Sequence, residues 1–369
     1  ARQQVVLDDN GWIFAVQGPG ALAKAMQMEQ PPQHFAREAA PQGQGRLPVL
    51  FWGILDIKYD RSRPVLDRVK VLETGDGRTS KFSGDGAEIL RRYREKYVME
   101  QDMDFQMYQV ISADKKLTHD LFDQSGYSHI VPDQVCFPRR YHQQLAADIV
   151  KALHVGDKEL VILKLCNRSR AAGVIVSPAN ELDDILHDLL TPPLDLEAWF
   201  QDHAERMDRD SDSAADFGFA PGSFAEHQRH WWGNESPVFV AERCCHSHPT
   251  VVNGRQFDGT MRVGFAVRRQ QGMQKKPWEQ QAGAFSPDEL EIDWLGGYWK
   301  LPKCDTGGSG TLRESVVSAA RTSGTAPVPL AHLMEVYAAL GDSLQQLFGA
   351  AEPSSQELRS QYAAQPALA

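Results

Sequence analysis

The stretch Leu160-Val161-Ile162-Leu163-Lys164-Leu165-Cys166-Asn167-Arg168-Ser169-Arg170-Ala171-Ala172-Gly173-Val174-Ile175-Val176 decides the fold. Its first six residues are an apolar run broken by one lysine, the pattern of a buried strand. Residues 167–173 are polar and small and read as a turn, and Val174-Ile175-Val176 reads as a second strand. Helical periodicity over 141–154 precedes this pair, and a helix over 180–190 follows it. Lys164 has apolar neighbours on both sides, so its ammonium either enters a cleft and meets an anion or snorkels to water from a strand edge. A nucleotide phosphate would satisfy the first arrangement.

Working outward, Val49-Leu50-Phe51-Trp52-Gly53-Ile54-Leu55-Asp56 and Arg68-Val69-Lys70-Val71-Leu72-Glu73 read as two strands of a hairpin, each ending in an acid. A polar loop over 74–80 leads to a helix over 87–97. A strand over 105–111 leads to Ser112-Ala113-Asp114-Lys115-Lys116, the capped start of a helix over 117–124. Before the hairpin, Gln30-Pro31-Pro32-Gln33 and Pro41-Gln42-Gly43-Gln44-Gly45 mark residues 1–48 as a loosely ordered segment. Downstream, 202–216 is an acidic insertion or solvated surface. Val238-Phe239-Val240-Ala241-Glu242-Arg243 and Met261-Arg262-Val263-Gly264-Phe265-Ala266-Val267 are strands joined by a loop with Asn253-Gly254. A helix covers 330–347, and 352–369 reads as a loose tail.

Composition limits the function classes. The 369 residues are 42% hydrophobic and 24% charged, ordinary globular values. A net charge of −10 argues against general nucleic-acid binding, which needs clustered Lys and Arg to displace counterions. No run approaches the roughly 18 to 20 apolar residues of a membrane helix, and the first residues carry no apolar signal-type segment. The five cysteines read as reduced thiols, so a cytoplasmic compartment is expected. Arg243-Cys244-Cys245-His246-Ser247-His248 has zinc-type ligands but poor spacing, since adjacent cysteines on a strand point to opposite faces. A catalytic thiol at Cys244 or Cys245 stays open. Gly296-Gly297-Tyr298-Trp299-Lys300-Leu301-Pro302-Lys303 and the glycine-rich 305–311 read as a long surface loop or a lid over substrate. No nucleophile elbow supports a serine hydrolase.

Asp114-Lys115-Lys116 at a helix start, Pro132 in a link, Lys164 on a strand, the small-residue turn after Arg168 and Asn180-Glu181-Leu182 at a helix start occur in one order. In that order the chain resembles the ATP-grasp superfamily. The resemblance implies an α+β fold of two small mixed sheets with flanking helices enclosing a nucleotide cleft, with subdomains at 49–130, 131–235 and 236–350 and a tail at 351–369. It implies that Lys116, Lys164 and Arg170 meet ATP phosphates and that Glu242, entering the adenine hinge, binds nucleotide. Gly254 through Arg262 is similar to a stretch of tubulin tyrosine ligase-like members, although the spacing differs. That likeness implies that Asp258 faces ATP and that Arg262 stabilises an acyl phosphate.

The family's C-terminal magnesium strands have no counterpart after Leu330. Asp56, Glu73 and Asp76 on the early hairpin look like that metal site moved to the front, as in the circularly permuted members that include glutathionylspermidine synthetase. Gly75 stands where the family has Asn, so Asp76 would replace it. The resemblance thus implies an ATP- and Mg2+-dependent ligase that joins a small-molecule or peptide carboxylate to an amine or thiol through an acyl phosphate, with Arg262 and Lys164 in catalytic roles. The alternatives are a non-catalytic binding protein on a degenerate scaffold and a phosphotransferase, the latter lacking a His-Arg-Asp-type loop.

Overall fold

The structure, a computed structural model, describes residues 3–7, 13–17, 45–78, 80, 82, 84–99, 114–168, 171–203, 223–234, 236–270, 287–318 and 324–364. It is a mixed α/β chain with several small sheets. It divides into two compact units, one drawn from Ala1–Val131, Cys245–Gly310 and Glu314–Ala369, the other from Pro132–Cys244 and Thr311–Arg313.

In chain order the first unit opens with β1 (Gln3–Leu7) and β2 (Ile13–Gln17), which pair antiparallel. These strands lie inside the segment expected to be loose, and Asn10-Gly11 stands between them in the sequence, a hairpin-turn dipeptide. Strands β3 (Leu47–Val49), β4 (Phe51–Tyr59) and β5 (Val69–Asp76) follow, then α1 (Ala87–Lys96) and β6 (Tyr97–Met99). Helix α2 (Lys115–Gln124) begins where the sequence indicates: the Asp114 carboxylate accepts from the Leu117 N–H at 3.0 Å. The strand expected over 105–111 lies outside the described residues.

The second unit holds β7 (Gln134–Pro138), α3 (Leu145–Leu153), β8 (Leu160–Leu165), β9 (Ile175–Pro178), α4 (Leu182–Leu190), α5 (Leu196–His203), α6 (Phe224–Trp232) and β10 (Val238–Arg243). The chain then returns to the first unit with β11 (Thr250–Val252), β12 (Arg255–Phe257), β13 (Thr260–Arg269) and β14 (Leu290–Lys300). Helix α7 (Leu312–Val316), whose first two residues belong to the second unit, β15 (Thr325–Pro327) and α8 (Leu330–Ala364) complete the chain. Most of the insertion expected over 202–216 lies outside the described residues.

The first unit is built on a five-stranded antiparallel sheet in the order β15-β14-β13-β4-β5. Side chains alternate across a strand, so cross-strand partners share a face. Leu55 pairs with Val263 and Ile57 with Met261; these pack against Leu117, Leu121 and Phe122 of α2 and against Leu333, Val336, Leu340, Leu344 and Leu347 of α8. The 3–4-residue spacing along α8 is the apolar stripe that the sequence shows. On the other face, Trp52 pairs with Ala266 and packs with Ile89, Tyr97, Leu295 and Tyr298 beneath α1. Four residues further along β4 and β13 this face turns from apolar to charged, at Asp56 and Arg262, and the candidate site begins there.

The second unit is a four-stranded antiparallel sheet, β7-β10-β8-β9. Val161, Leu163, Leu165, Phe239 and Ala241 point to one face and form a core with α3, α4 and Trp231. Ile162, Lys164, Val240 and Glu242 alternate with them and lie outside that core.

Three expectations are corrected. Val238–Arg243 and Thr260–Arg269, expected as strands joined by a single loop, lie in different sheets with a further hairpin between them: β10 lies between β7 and β8, β13 is central in the five-stranded sheet, and Asn253-Gly254 turns the small β11–β12 hairpin. The stretch of the second compact unit that begins at Pro132 runs to Cys244. Residues 296–300 are strand, not loop, because a bulge at Gly264/Phe265 lets β14 continue past Gly296, whose φ of 99° needs a glycine. Helix α8 runs to Ala364 through the region expected to be a tail, where Gln356, Glu357, Leu358 and Arg359 are good helix formers.

Candidate functional site

On the charged half of the five-stranded sheet, register sets one row of partners: Glu73 opposite Asp56, Asp56 opposite Arg262, Arg262 opposite Tyr298. Arg262 grips Asp56 with a fork, Nε to Oδ1 at 2.7 Å and the terminal Nη2 to Oδ2 at 2.9 Å. Lys300, two residues beyond Tyr298 and on the same face, donates to Asp56 Oδ2 at 3.0 Å. Lys115 lies 3.8 Å from Glu73. Arg262, Lys300 and Lys115 are all buried, and in this row three cations meet the two carboxylates Asp56 and Glu73. Burial by itself would raise the Asp56 carboxyl, but the charges and hydrogen bonds of Arg262 and Lys300 outweigh it and hold the group well below the carboxylate range. Burial lowers the Lys300 ammonium; Asp56 opposes that and Arg262 adds to it.

A second cluster stands two residues along β4 from Asp56. Lys58 Nζ donates to the Asp258 carboxylate at 2.8 Å and to the carbonyls of Asp258 and Gly259 at 3.0 and 3.3 Å. The same carboxylate accepts from the Ser247 N–H at 2.8 Å, and its other oxygen meets His246 Nδ1 at 2.7 Å. The segment carrying His246 is held along β4, with the His248 N–H donating to Tyr59 O and the Tyr59 N–H to Ser247 Oγ. Burial would raise the Asp258 carboxyl, but the charge of Lys58 and the hydrogen bonds from His246, Lys58 and the Ser247 N–H bring it below its usual value.

In the second unit Lys164 Nζ donates to Glu242 Oε2, a pair formed across β8 and β10. Lys164 is 7% and Glu242 1% exposed. The lysine is therefore a buried, paired group and not a snorkelling edge residue. Glu242 Oε1 has no hydrogen-bond partner among the described residues, an uncommon state for a buried carboxylate oxygen. The turn after β8 is fixed by side chains: Trp231 Nε1 donates to Gly173 O at 2.7 Å, and Arg313 donates to the carbonyls of Ala171 and Val174.

The structure brings some of the expected residues together and redirects others. Asp56, Glu73 and Arg262 share one row, and Lys164 and Glu242 form one pair. Lys116 is engaged by Asp120 one turn along its own helix, and the buried lysine of that helix start is Lys115. Asp258 is met by Lys58, the Ser247 N–H and His246. Arg170 lies outside the described residues.

Asp56, Glu73 and Asp76 do not fit a magnesium site. Magnesium takes carboxylate oxygens in near-octahedral geometry, whereas both Asp56 oxygens are held by cations. Asp76 pairs with Gly53 three residues further along β4 and is gripped by Arg78. Among the described residues no group of three or more His, Cys, Asp or Glu is arranged to hold a metal ion, which covers the Cys244–His248 segment too.

Lys58, Lys115, Lys300 and His246 were not legible as site residues. The alternation Asp56-x-Lys58 carried a signal for the first; Lys300 was hidden by the glycines that made its strand read as a loop. Comparison with protein-family models, with curated proteins and with solved structures gives no match, so the functional reading rests on these residues and their geometry.

Proposed function

We propose that the chain is an ATP-dependent ligase of the ATP-grasp kind, which activates a carboxylate as an acyl phosphate and passes the acyl group to an amine or thiol. The observation that carries the reading is the buried Lys164–Glu242 pair. A lysine on one strand supplies a cation for phosphate, and the partnerless Oε1 of Glu242 is an acceptor that the exocyclic amine of adenine would satisfy. The helix-backed antiparallel sheet that carries the pair is in keeping with the two-sheet scaffold expected of that fold.

The test is thermal unfolding with and without millimolar ATP and magnesium. A ligand held only by the native state stabilises by RT ln(1 + [L]/Kd), about 2.7 kcal/mol at a hundredfold excess over Kd. The wild type should be stabilised and the double variant Lys164→Met/Glu242→Gln should not. Removing both charges avoids leaving one buried ion alone, which costs about 3–5 kcal/mol. Equal stabilisation of the two proteins, or of neither, overturns the reading.

A second reading, a nucleotide-binding protein without turnover, is favoured by one observation: the carboxylates that a ligase would give to magnesium are occupied by Arg262, Lys300 and Arg78. It requires ATP stabilisation with no phosphate release on any carboxylate and acceptor pair.

A further inference from the structure

The face of the four-stranded sheet that carries Lys164 and Glu242 holds a second oxygen without a donor. Strands β7 and β10 pair antiparallel with Gln134 directly opposite Glu242. Directly opposed residues share a face, with Cβ atoms about 4.5–5.5 Å apart. Gln134 Oε1 and Glu242 Oε1 are both buried, and neither has a hydrogen-bond partner among the described residues. Of the buried side-chain atoms in that state, these two are the ones that can only accept, so neither can satisfy the other. Their neighbour on β8 is Ile162, which has no side-chain donor, and the Lys164 ammonium is spent on the other oxygen of Glu242. All of these residues belong to the second unit.

Resting on the ATP reading above, we propose that Gln134 and Glu242 together recognise the amino group of the nucleobase, each accepting one of its two N–H donors. Gln134 is then a specificity-determining residue of that site. The ion pair of Lys164 with Glu242 is already balanced, so what this place lacks is hydrogen and not charge. A ligand ammonium or guanidinium would bring a second cation beside Lys164. A hydroxyl has one hydrogen and would leave one of the two oxygens bare. An amino group on a conjugated ring is neutral and offers two N–H donors that diverge in the plane of the ring, and in ATP this is the 6-amino group of adenine. Glu242 Oε1 alone would use one of these hydrogens; Gln134 takes the other. Ile162 and Val240, both buried, alternate with the polar residues on the same face and give a flat ring apolar surface to lie against.

The experiment compares two ligands on the full chain by titration calorimetry with magnesium present: ATP, and purine riboside triphosphate, in which hydrogen replaces the 6-amino group. The analogue adds no bulk, so a difference in affinity reports the amino group itself. Leaving one buried acceptor without its donor costs about 5–150-fold in affinity. The wild type should prefer ATP by more than one such step. Gln134→Met, which keeps the length of the side chain and removes the acceptor, should lower that preference by about one step. Gln134→Leu repeats the comparison if the methionine variant does not unfold cooperatively, and the wild-type preference is read without any variant. A merely structural glutamine would change both affinities equally. Binding of ATP with no preference over the analogue, or a preference that Gln134→Met and Gln134→Leu leave unchanged, overturns the proposal while the ligase reading stands. Failure of the wild type to bind ATP is the failure of the ligase reading, and the assignment of the amino group goes with it.

Discussion

Asp56 accepts from Arg262 and Lys300 at once, and those two cations come from strands more than two hundred residues downstream. Its membership of a site was legible, since an acid ending an apolar strand needs a reason, but its role was not. Alternation along β4 gives the face of a side chain, whereas the partner depends on which strand lies alongside. The same holds for Glu242, whose partner Lys164 is 78 residues away. His227 shows what a single buried group does to the whole chain. It is 3% exposed, and neither ring nitrogen has a hydrogen-bond partner among the described residues. Burial first, and then the Arg313 charge, lower its pKa from 6.5 to about 4. Because the native value lies below the unfolded one, the unfolded chain binds more protons between these values, and stability rises with pH through that window. The contribution is complete above pH 6.5, is lost as pH falls towards 4, and amounts to about 3 kcal/mol at most. A His227→Leu variant should therefore show a flatter decline of denaturant midpoint between those pH values, while near neutral pH it stays within about 1.5 kcal/mol of wild type. An unchanged slope would mean that the ring is protonated in the native state.

The elements were more legible than their neighbours in space. The cap at Asp114, the apolar strand around Lys164 and the stripe of α8 rest on local chemistry, and each is found where that chemistry puts it. What failed was sheet membership, because β10 and β13 look alike as apolar runs and nothing local says that each belongs to a different sheet. Strand β14 failed for another reason: paired glycines read as a loop, yet here they relieve close approach. Gly264 is the matching position on β13. A Cβ built there would stand 2.5 Å from Ile89 Cγ2 of α1 and 3.1 Å from Leu295 Cβ. Gly264→Ala should cost about 1–3 kcal/mol as overpacking between the sheet and α1. The companion change Ile89→Val keeps Cγ2 but removes Cδ1, which would stand 3.4 Å from the new Cβ, and so frees the side chain to shift; it should recover part of the loss. A double variant no more stable than Gly264→Ala would show that the strain lies in the strand backbone.

At the scale of the molecule, the two units hold separate cores, one centred on β4, β13 and α8 and the other on β8, β10 and Trp231. Separate cores allow separate melting, and a chain with two such units need not unfold in one step. Trp231 tests this, since it is fully buried, packs against Phe239 at a ring-centroid distance of 5.3 Å and ties down the turn at Gly173. Replacing it with alanine removes a large buried ring and one hydrogen bond, a loss of about 3–5 kcal/mol confined to the second unit. For a unit of this size the midpoint should fall by on the order of 10 °C. Calorimetry of Trp231→Ala should then show one transition moved down by that amount and a second left at the wild-type temperature. The second should still respond to Gly264→Ala, which lies in the other core. One transition that moves as a whole in both variants would mean that the units unfold as a single cooperative body, and a change at either core would then reach the Asp56 row and the Lys164 pair alike.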